Sequence, residues 1–175
     1  MTETTDYKII IIDSKNVIYN DADTYDFYIN LQDPIRDVYK IKVLYDAVSI
    51  PTINIKDTNL TTNLDLIYIQ LNDYDRIRTS LINPLNNVIN NLTYFDEIMI
   101  DVNRIKSTVG INETTMFNDY NDKEGDYYLN PIASQLYKLN LKLHDKNNNI
   151  ISKTYISRFI MKLCVYYNTK KLSQF

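Results

Sequence analysis

The sequence predicts an all-β chain with little helix, and three observations carry that expectation. Leu139, Leu141 and Leu143 alternate with Lys138, Asn140, Lys142 and His144. Period-two alternation puts the leucines on one face of a strand and the polar residues on the other. The composition leans the same way, with 16 Tyr, no Trp and abundant Ile, residue types that suit a pleated surface. The apolar runs are short and separated by Asn/Asp clusters, without the rhythm of strand–helix–strand units. Only 2 Gly are present, and Asn is about one residue in eight. Turns therefore fall to Asn and Asp, which tolerate positive φ.

Each element follows from the same pattern. Met1 to Tyr7 is polar and reads as a flexible N-terminal arm. Ile9-Ile10-Ile11-Ile12 suits a strand buried on both faces, or one covered by a partner. Asn20-Asp21-Ala22-Asp23 is a loop. Tyr25, Phe27, Ile29 and Leu31 alternate with polar neighbours, and Gln32-Asp33-Pro34 makes a corner. Val38 to Ile50 is the longest strand candidate, ended by Pro51, which lacks a ladder donor. Asn54 to Asn63 reads as polar linker. Leu64 to Leu71 is a strand with Ile67, Ile69 and Leu71 on one face, closed by Asn72-Asp73-Tyr74-Asp75.

Ser80 to Leu92 fits two templates. Leu81, Leu85, Val88, Ile89 and Leu92 recur at helical spacing, while Pro84 and five asparagines oppose a helix. Phe95, Ile98, Ile100 and Val102 predict another strand. Met116 to Asp126 is acidic and expected to be an exposed loop. Asn130-Pro131 reads as a helix N-cap and first helical position. The leucine strand then runs into a turn at Asp145 to Asn149. A further strand is expected from Ile150, a bend near Ser157-Arg158, and a last strand FIMKLCVYY. About eight strands with irregular loops fit a β-sandwich or a double-sheet jelly roll.

Length and charge bound the function. The 175 residues suit one domain. Apolar residues are 45% and charged residues 23%, ordinary for a globular protein. The net charge of −3 and scattered basic residues argue against a nucleic-acid groove. The lone Cys164 cannot form an intrachain disulfide. The start MTETTDYK does not resemble a signal peptide, and no run approaches transmembrane length. Synthesis inside a cell without export is expected, so the sequons at Asn59, Asn91 and Asn112 carry no meaning.

No chemical constellation stands out. His144 and Cys164 are the sole His and Cys, and a Cys–His nucleophilic pair is formally open. Cys164, however, sits in an apolar strand and reads as a small hydrophobe. Asp145-x-Asn147-x-Asn149 begins like a calcium loop. It then fails at Ile150, where glycine is needed, and at Ile156, where the bidentate glutamate belongs. Asp119-x-Asn121 fails at Lys123. Asp96, Glu97 and Asp101 could supply an acid/base pair, but solvated strand edges explain them better. Gly110 and Gly125 do not form a phosphate loop. Tyrosines suit subunit contacts, having one wet end. No residue is assigned a catalytic, cofactor or metal role.

Three segments carry a resemblance. FYINLQDPIRDVYKIKVLYDAVSIP, Phe27 to Pro51, runs an apolar strand into a Pro-Ile corner and then a long strand ending at Ile-Pro. DLIYIQLNDYDRI, Asp65 to Ile77, supplies the next strand. NPIASQLYKLNLKLHDKNNNII, Asn130 to Ile151, supplies a late strand hairpin, with Asn149 standing where glycine is usual at positive φ. Together they resemble the single jelly-roll capsid proteins of large double-stranded DNA viruses and their virophages. The resemblance spans most of the chain and rests on apolar and turn patterns.

What the resemblance implies is an eight-stranded jelly roll acting as a structural virion protein. Vertex pentons of that group carry one jelly roll and form homopentamers, with neighbouring major capsid proteins as further partners. Major capsid proteins carry two jelly rolls, which 175 residues do not accommodate. Localisation in the capsid, after assembly in the host cytoplasm or nucleus, follows from the same likeness. The alternatives are a minor capsid protein bridging capsomers and a carbohydrate-binding jelly-roll module with exposed Tyr and Asp. An enzyme is the least favoured reading.

Overall fold

The computed structural model describes residues 3–50, 66–82, 89–99, 113–117 and 126–170. They form strands β1 (Glu3–Asp13), β2 (Ile18–Tyr19), β3 (Asp26–Ile50), β4 (Leu66–Leu71) and β5 (Ile77–Ile82). After these come β6 (Ile89–Tyr94), β7 (Asp96–Met99), β8 (Glu113–Phe117), β9 (Asp126–His144) and β10 (Arg158–Lys170). The one helical turn among the described residues is a 3-10 turn at Ser14–Asn16, which Asp13 caps by accepting from the Lys15 N–H. The all-β class is as the composition predicts.

Every pairing is antiparallel, and β3 is the spine. Its 25 residues serve two rows of strands. The C-terminal half pairs with β10 on one edge, Val38 to Ser49 against Tyr167 to Arg158, and with β8 on the other. β1 adds to the far side of β10, giving the row β1-β10-β3-β8. The N-terminal half pairs with β9, which pairs with β4, which pairs with β7. That gives the row β3-β9-β4-β7, and the curled sheet is consistent with an all-β sandwich or jelly roll. β5 and β6 form a separate hairpin.

The two rows share strands because β3 and β9 change direction together. The β3–β9 register breaks between Asn30 and Ile35, the corner predicted at Gln32-Asp33-Pro34. Such irregularities bend a strand while keeping its neighbours paired. Asp37 holds φ 53 just beyond the break.

The enclosed core is what alternation predicts. Leu139, Leu141 and Leu143 of β9, Ile67, Ile69 and Leu71 of β4, and Leu163 and Val165 of β10 are fully buried. Phe27 packs 6.3 Å from both Tyr25 and Phe159. Each such side chain contributes about 1.5–3 kcal/mol through removal from water. Tyr25 also ties the irregular 150–157 connection to the core. Its hydroxyl donates to the Ile156 carbonyl at 2.9 Å, and its N–H to the Ile151 carbonyl at 2.8 Å.

Several local expectations are corrected. β1 starts at Glu3, so most of the expected arm over residues 1–7 is paired with β10. Asn130-Pro131 opens no helix. β9 passes through it, with a cis peptide bond there. Residues 80–82 and 89–92 lie in the β5–β6 hairpin and not in a helix, because cross-strand pairing overrides the helical spacing. Ile150 does not begin a strand; it makes a single bridge to His144. The positive φ in the Asp145–Asn149 turn belongs to Asn148, at 65°, and not to Asn149. Met116 and Phe117 lie in β8 and Asp126 in β9. The rest of that expected loop, the Asn54–Asn63 linker, Ile100, Asp101, Val102, Gly110, Gly125 and the Asp119 motif lie outside the described residues.

Candidate interaction surface

The run Ile9 to Ile12 occupies the open edge of the sheet, and its alternation splits it. Ile10 and Ile12 face the core opposite Leu163 and Met161. Tyr7, Ile9 and Ile11 face outward and are 58%, 43% and 61% exposed. Burial on both faces is therefore corrected. Along β1 one face packs on the core, and on the other Tyr7, Ile9 and Ile11 stay exposed.

The outward residues continue across the sheet in three rows set by register. Tyr7 lies beside Tyr166, Tyr166 beside Lys40, and Lys40 beside Tyr128. Ile9 lies beside Cys164, Cys164 beside Lys42, and Lys42 beside Asp126. Ile11 lies beside Lys162, and Lys162 beside Tyr45.

The rows are knit by side chains. The Tyr7 and Tyr166 rings are 6.0 Å apart. The Lys40 ammonium stands 4.0 Å from the centre of the Tyr166 ring and 5.8 Å from that of Tyr128. Lys40 also pairs with Asp126 at 3.1 Å, and Lys42 with the same carboxylate at 3.9 Å. A hydrogen bond shared with the Cys164 thiol, then burial, pushes the Tyr166 hydroxyl up to about 12. The phenol stays neutral at ordinary pH. The face is thus a fixed tyrosine–lysine lattice with an apolar margin along β1.

β1 is fastened at its far end. Arg158 donates from Nε to Asp13 Oδ1 at 3.1 Å and from a terminal nitrogen to Oδ2 at 2.6 Å. That fork holds the Asp13 carboxyl below the usual carboxylate range. No local pattern signals this pair, whose members are far apart along the chain.

The single-residue candidates are dispersed. Cys164 is buried on β10, which pairs with β1 and β3. His144 ends β9 and faces β4, its nitrogens 3.3 Å from Gln70 Oε1 and 3.4 Å from the Asn148 carbonyl. Burial lowers its pKa. Tyr94 packs 5.6 Å from the His144 ring, stacks 4.4 Å from Tyr68 and donates to Asn148 Oδ1 at 2.7 Å. Burial pushes the Tyr94 hydroxyl up to about 12. His144 therefore clamps a hairpin to a neighbouring strand, and the structure does not bring it to Cys164.

The calcium-like loop uses its own ligands internally. Asp145 Oδ1 accepts from the Asn147 and Asn149 N–H groups at 2.9 and 2.8 Å, and Oδ2 from Asn149 Nδ2 at 3.1 Å. Asp96 is buried and ion-paired with Arg76, while Glu97, its neighbour in β7, points to the opposite side. Among the described residues no three His, Cys, Asp or Glu side chains gather where they could hold a metal. No helix among them is long and apolar enough to cross a membrane. No protein-family model and no curated protein matches the chain.

Proposed function

We propose that this chain is a structural virion protein, a single jelly roll that self-assembles as a vertex homopentamer. The observation that carries the reading is the outward stripe Tyr7-Ile9-Ile11 on the open edge of β1. An open strand edge is a template for another chain, and an exposed apolar stripe beside it suits a protein contact, although β1 also carries the exposed charges Asp6 and Lys8. Here three large apolar side chains stand on one strand in a chain with no catalytic cluster among its described residues.

Two further features support it. The curled antiparallel sheet, with β1-β10-β3-β8 on one side of the β3 corner and β3-β9-β4-β7 on the other, is compatible with an all-β sandwich of that kind. The three segments resembling viral capsid proteins fall chiefly on β3, β4 and β9, which are neighbours in the sheet. In a closed ring each subunit offers one surface to the neighbour ahead and a different one to the neighbour behind. The β1 margin is one such surface.

The test is the mass of the purified chain by light scattering after gel filtration, followed by imaging. A species near five times 20.7 kDa that becomes a monomer in the Ile9→Asp, Ile11→Asp double variant is expected. A dimer would replace the vertex role by that of a minor capsid protein bridging capsomers. A mass unchanged in the double variant would remove the β1 margin from the contact.

A further inference from the structure

We draw no further inference here: the strongest candidate, the surface patch along the first part of β9 where Tyr128, Ile132 and Tyr137 stand exposed, carries nothing, because nothing in the structure shows what covers it.

Discussion

The outer face of β1 and β10 and the outer face of β4 and β9 are built on the same inner pattern and differ entirely outside. Inward, both rows present Leu, Ile and Val at full burial. Outward, the first shows Tyr7, Ile9 and Ile11, and the second Gln70, Asn140 and Lys142. Alternation fixes which residues face out but not what they are. The outward set is therefore where the two faces part, one apolar and aromatic and the other amide- and lysine-rich.

Core truncation should break the comparison most severely, because both faces rest on it. Leu141 is fully buried and paired with Phe27 on one side and Leu71 on the other. Leu141→Ala is expected to cost about 2–5 kcal/mol, read from the urea midpoint. A loss below 1 kcal/mol, on the order of a surface change, would mean the two rows do not share a cooperative core.

A smaller effect is expected at His144, which belongs to the β9 side alone. His144→Ala leaves its Gln70 and Asn148 partners unanswered and should cost about 1–3 kcal/mol. Burial lowers the His144 pKa from 6.5, so the unfolded chain takes up the proton first as pH falls. Stability is full above about pH 6.5 and declines below it. A His144→Asn variant should lose that decline, and a melting temperature equally pH-sensitive in this variant would place the effect elsewhere.

The β1 face should respond in the opposite manner. Ile9→Asp with Ile11→Asp removes outward residues only, so the melting temperature of the separated subunit should shift by no more than about 0.5 kcal/mol equivalent, while assembly is lost. A large stability loss would show that the stripe is part of the subunit's own core.

The smallest effect belongs to the Asp13–Arg158 fork. The Asp13 pKa is depressed in the folded chain, so its contribution is present above the unfolded value of about 3.9 and is lost as pH falls through the folded one. Asp13→Asn should flatten the acid limb of the stability curve in that window alone. An unchanged acid limb would assign it to other carboxylates.

The fold was legible wherever one face is buried and the other wet. Leu139 to Leu143 and Ile67 to Leu71 announce themselves because alternation is local. The four-isoleucine run was ambiguous for a physical reason: alternating isoleucines look alike whether or not something covers the outer ones. Ser80 to Leu92 stays open between two templates because apolar residues at helical spacing can also lie on paired strands, and the β5–β6 pairing decides for residues 80–82 and 89–92. Asn130-Pro131 carries the chemistry of a helix start, but β9 is held extended there by its pairing with β3. The clasp between the turn after β4 and β9 was not legible at all. It joins Asn72 to Asn140, and the left-handed φ of Asn72 is imposed by that distant partner.

The pairing of Glu3 with Lys170 has a consequence for biosynthesis. Among the described residues β1 pairs only with β10, so a nascent chain cannot close that row before residues 158–170 have cleared the ribosome. Contacts this distant in sequence make folding slow, since loop-closure entropy precedes any gain. Throughout elongation the isoleucine run from Ile9 to Ile12 stays bare on both faces, a target for aggregation. An arrested chain ending before Arg158 should therefore be held by chaperones and cleaved readily by protease, whereas release of the last strand should confer protection in a single late step.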